Sequence, residues 1–134
     1  MVAEHCEHAA LTTVFCMSVV AFRTVNAVAF QLAASLDEYE EVVGRLWEEG
    51  IGSELYVRVS ECMDSIQRLA ASIPKLSVPA VGLLIAHAEF TYALWHRART
   101  GLGGGQGLEV SAQEHRASIE VLSRACKRQI CVER

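Results

Sequence analysis

A seven-residue apolar rhythm runs from Leu11 to Leu46 without losing phase. Its members are Leu11, Phe15, Ser18, Phe22, Val25, Ala29, Leu32, Leu36, Tyr39, Val43 and Leu46, in alternating steps of four and three. Only Ser18 is clearly polar. Such spacing sets every member on one face of a helix. A helix from Glu4 to Glu49 would span roughly 65–70 Å at 1.5 Å per residue. No later apolar segment reaches more than about half that length.

Ser35-Leu36-Asp37-Glu38 has the form of a capping box, which can open a new helix. The phase nevertheless passes through Ser35 intact, so one continuous helix is expected, with a bend or split near Ser35 as the alternative. Before Ala34 the segment is apolar nearly all round, with Val14, Met17, Val20, Ala21 and Val28 flanking the main stripe. A helix apolar on every side needs cover on every side.

Punctuation divides the remainder. Gly50-Ile51-Gly52 ends the first helix, since glycine readily takes left-handed C-cap geometry. Ser53 is the expected cap of the second, whose stripe is Leu55, Val59, Cys62, Ile66, Leu69 and Ile73. Pro74 breaks it. Ser77 is the expected cap of the third, with Pro79 in its first turn. That helix is again broadly apolar, carrying Val81, Leu83, Leu84, Ile85, Ala88, Phe90, Leu94 and Trp95. A glycine-rich loop at 101–107 follows, and Ser111 to Glu114 form a second capping box ahead of the last helix. No strand-like alternation and no internal repeat is present.

These signals predict an all-α fold: an antiparallel four-helix bundle with one very long N-terminal helix, in a single domain over 1–134. The expected helices are about 4–49, 53–73, 78–99 and 110–132. The three shorter helices can sheathe only half of the first. A second copy would cover the rest, which predicts a homodimer through Leu11, Phe15, Val19, Phe22, Val25 and Ala29.

Charge and cysteine usage narrow the function classes. The net charge of −4 and scattered basic residues argue against a nucleic-acid binder. The one dense basic group, Arg124, Lys127, Arg128 and Arg134, suits the negative end of a helix. Five cysteines (Cys6, Cys16, Cys62, Cys126 and Cys131) fit no disulfide or zinc spacing, which suits a reducing, cytoplasmic setting. Leu11 to Ala34 is long enough to span a bilayer, but Arg23 and Asn26 sit near its middle, so no membrane span is expected.

The chemistry-bearing residues are sparse. His5-Cys6-Glu7-His8 supplies too few ligands for a metal site without a second cluster. No histidine has a glutamate three residues before it, as di-iron bundles require. His87 stands mid-helix, but Ala88, Glu89, Phe90 and Thr91 follow it, so the lysine that supports a phosphorylated histidine is missing. His115 faces inward and can hydrogen-bond across the core. The glycine run ends in no Gly-Lys-Ser/Thr and follows a helix, which excludes both phosphate-loop patterns. The expectation is a non-catalytic oligomeric module for protein interaction or scaffolding, without cofactor or metal, binding a protein partner and neither nucleic acid nor membrane. The alternative is a small-molecule sensor with a pocket between helices three and four, formed by His87, Thr91, Tyr92 and His115.

Overall fold

In the computed structural model the backbone is described for residues 2–101 and 105–131, and side chains for 24–101 and 107–130. Four helices pack into an all-α bundle: α1 (Val2–Glu49), α2 (Ser53–Ala70), α3 (Ser77–Thr100) and α4 (Gly105–Cys131), with a short 3-10 turn at Pro74–Leu76 before α3. Helix α1 is unbroken through Ser35. Leu32, Leu36 and Tyr39 are all buried on one face there, so both sides of Ser35 serve the same core and the capping box is overruled.

The ends of the helices differ from the punctuation in instructive ways. Gly50 and Gly101 take positive φ, +89° and +66°, and stop α1 and α3 as left-handed caps. Helix α2 ends at Ala70, short of 73, because the Ser72 and Ile73 amides bond to Leu69 and Ala70 and tighten the last turn. The turn at Pro74–Leu76 leads straight into α3, so Ser77 is not its cap; the Ser77 hydroxyl donates to the Pro74 carbonyl at 2.8 Å. Gly52, not Ser53, precedes α2 as its cap. Helix α4 begins at Gly105, earlier than the capping box at Ser111 suggests. Leu108 is buried in register with Ala112, His115 and Ile119, and that burial outweighs the poor helix propensity of the glycines.

The core is continuous from Ala29 and Leu32 through Leu36, Ile66, Leu76 and Leu83 to Leu122 and Cys126. Cys62 and Cys126 are free and buried, as their apolar faces require. The Cys126 thiol donates to the Ala29 carbonyl at 2.9 Å, which fixes the level of α4 against α1. Helix α4 ends at Cys131, little more than a turn later, whereas α1 runs back to Val2. The side chains of Leu11, Phe15, Val19 and Phe22 lie outside the described residues. Ala29 is fully buried inside its own bundle and Val25 is half-buried against it, which removes Ala29 from any free face.

Candidate functional site

Three polar rings meet in the core. The Tyr39 hydroxyl lies 2.8 Å from His87 Nδ1 and 2.6 Å from His115 Nε2. Tyr39 comes from the buried stripe of α1, His87 from α3 and His115 from α4. Tyr39 is fully buried, and His115 and His87 are nearly so. A phenol has one proton to donate and lone pairs to accept. It therefore donates to one imidazole and accepts an N–H from the other, so the two histidines hold opposite roles at the hydroxyl. The ring that accepts the phenol proton must be neutral, and desolvation in the core disfavours charge on the other.

Burial enforces that state. It lowers the His115 pKa to about 4, with the neighbouring His87 and Arg116 adding to the effect. Burial also lowers His87, against a smaller opposing pull from Asp64. The Tyr39 hydroxyl is pushed up, away from ionisation, by burial and then by Cys62. Burial thus favours the uncharged form of all three groups.

Phe90 packs flat on His115, with ring centroids 4.7 Å apart and planes 7° apart. Trp47 stacks on Phe90 at 6.1 Å. The Arg97 guanidinium caps Trp47 at 5.9 Å, which gives the basic last turn of α3 a structural use. Beside this column a half-open groove of about 500 Å³ runs between α1 and α4. Trp47, Phe90, His115 and Ile119 form its apolar wall, Gly44 leaves it open, and Glu40, Glu48, Glu120 and Arg116 line it as charged groups.

The residues singled out from the sequence separate here. His87 and His115 converge on Tyr39, and only His115 reaches the groove. The Thr91 hydroxyl donates to the His87 carbonyl at 2.9 Å, one turn back on its own helix. Tyr92 points outward, 67% exposed, and stacks on His96. The groove therefore lies between helices one and four, not three and four. Tyr39 was legible only as a core position, because heptad spacing identifies a face and not the partner of a hydroxyl. Phe30 is exposed, and Trp47 belongs to the aromatic column.

Among the described residues no group of three or more His, Cys, Asp or Glu side chains is arranged to hold a metal ion. The side chains of His5-Cys6-Glu7-His8 are outside them. One helical stretch among the described residues, Pro74–Thr100, is long and apolar enough to cross a membrane by length and composition. No family model, curated protein or solved structure matches this chain.

Proposed function

We propose that this chain is a non-catalytic, self-associating helical module whose N-terminal half of α1 packs against a second copy. The observation that carries this reading is the mismatch between α1 and its neighbours. Helix α4 ends little more than one turn beyond the Ala29 level, and about six turns of α1 continue past Thr24. Between Ala9 and Ala34 the only charged residue is Arg23. A stripe at heptad spacing with almost no charge is suited to another helix of the same kind. The buried Tyr39, His87 and His115 side chains support a structural role too, because they hydrogen-bond to one another across three helices inside the core.

Light scattering of the purified chain over a concentration series tests the reading. The wild type should exceed the mass of one chain, and Phe22→Glu should weaken association about tenfold or more. A wild-type mass for Phe22→Glu would overturn it.

The α1/α4 groove favours a second reading, a small-molecule binding bundle. An apolar wall with a few convergent polar groups is the usual form of a ligand site. Trp47 lines the groove. A planar apolar probe should then quench indole fluorescence, and Gly44→Leu should abolish the change. Quenching that survives Gly44→Leu would remove this reading.

A further inference from the structure

The outer face of α3 carries a second seam at heptad spacing. Val78, Val81, Ile85, Ala88, Tyr92 and Trp95 follow one another in steps of three and four. All six are exposed, Val78 by 81% and Ile85 by 56%. Helix α3 packs into the bundle through the opposite face, with Ala80, Leu83, His87, Phe90 and Leu94 buried. Trp95, at 37% the least exposed of the large side chains in the stripe, also packs edge to face against Tyr56, with ring centroids 5.7 Å apart. From Leu76 to Trp95 the only formal charge is Glu89.

We propose that this stripe pairs antiparallel with the same stripe of a second copy. In an antiparallel pair centred between Ala86 and His87, Val78 falls level with Trp95 of the second copy, Val81 with Tyr92, and Ile85 with Ala88. Every layer then sets a larger side chain against a smaller one, which interdigitates at the density that cores require. A parallel pair would stack Trp on Trp and Ala on Ala, alternately overfilled and empty. The antiparallel register also keeps Glu89 from meeting its own symmetry mate. The exposed apolar area on the stripe is on the order of 600 Å², at the upper limit for a monomer's largest patch, and two such faces together clear the roughly 1,000 Å² of a specific interface. A bilayer suits the face less well. The other side of α3 is held by polar and aromatic contacts of the core, including His87 to Tyr39, which crossing a membrane would break.

This seam is separate from the overhang of α1 and does not rest on it. A chain with both carries two self-pairing surfaces, which generate a tetramer or an open assembly and not a closed dimer.

The test uses charged variants in one layer, on the full chain, read by sedimentation equilibrium. Val81→Lys and Tyr92→Glu should each weaken association about tenfold or more while the helical circular dichroism signal and melting temperature at dilution stay unchanged. An equimolar mixture of the two should regain most of the association, because the antiparallel register alone sets Lys at 81 against Glu at 92. Single variants that keep the wild-type mass overturn the proposal. So does a mixture that stays dissociated, or loss in the variants of binding to phosphatidylserine-containing vesicles by a chain that is otherwise monomeric. Failure of the α1 reading is distinguishable: Phe22→Glu would then leave the mass unchanged, while Val81→Lys would still lower it.

Discussion

The Tyr39 hydroxyl and His115 Nε2 lie 2.6 Å apart across 76 residues of chain. That bond, with the one to His87, fastens α1 to α3 and α4 at the middle of the bundle. Tyr39→Phe removes a hydroxyl and leaves two buried imidazole nitrogens without their partner. Each orphaned group costs about 1–3 kcal/mol. Urea denaturation should give a loss of about 2–4 kcal/mol with an unchanged m value. A loss below about 0.5 kcal/mol would mean that water replaces the hydroxyl.

The same triad makes the fold sensitive to acid. His115 has a pKa lowered from 6.5 to about 4, and His87 is lowered too. Protons therefore bind the unfolded chain more readily between those values. The His115 contribution to stability is full above about pH 6.5, falls as pH drops towards 4, and levels below it. For His115 alone the loss is on the order of 3 kcal/mol, at about 1.4 kcal/mol per pKa unit. Melting temperature measured from pH 7.5 to 4 checks this, and His115→Gln should flatten the profile.

Phe90 is held between Trp47 and His115. Phe90→Ala opens a cavity beside the triad and should cost about 3–5 kcal/mol. Phe90→Leu keeps most of the volume and loses the ring stacking, so a smaller loss of about 1–2 kcal/mol is expected. Thermal or urea unfolding of the pair would reveal equal losses if stacking carried the whole effect.

Two glycines should respond in opposite directions to the same change. Gly101 has φ +66°, and an added Cβ there meets no atom within 4 Å, so Gly101→Ala costs only backbone strain, about 1 kcal/mol. Gly44 is helical and exposed, and its added Cβ also meets nothing. Gly44→Ala should stabilise by about 0.5–1 kcal/mol. Paired denaturation curves decide it; shifts of the same sign would contradict the backbone assignment.

Much of the fold is legible without coordinates because it rests on local physics. The unbroken phase through Ser35 outvoted a capping box, since burial of Leu32, Leu36 and Tyr39 on one side outweighs a few hydrogen bonds at a helix start. Gly50 announced the end of α1 because glycine takes positive φ readily, whereas Gly101 was legible only as the start of a loop and proves to cap α3 in the same way. The start of α4 was not legible: whether Leu108 is buried depends on helices distant in the sequence.

The candidate site divides along the same line. Spacing alone marked His87 and His115 as inward residues on separate helices. It could not join them through Tyr39, or turn Tyr92 outward, or open the groove towards α1. Periodicity reports which face of a helix is apolar, and thus the number, order and sidedness of the elements. Which side chains from different helices meet depends on relative rotation and axial level, set by close packing of the whole core. Only the folded chain decides those.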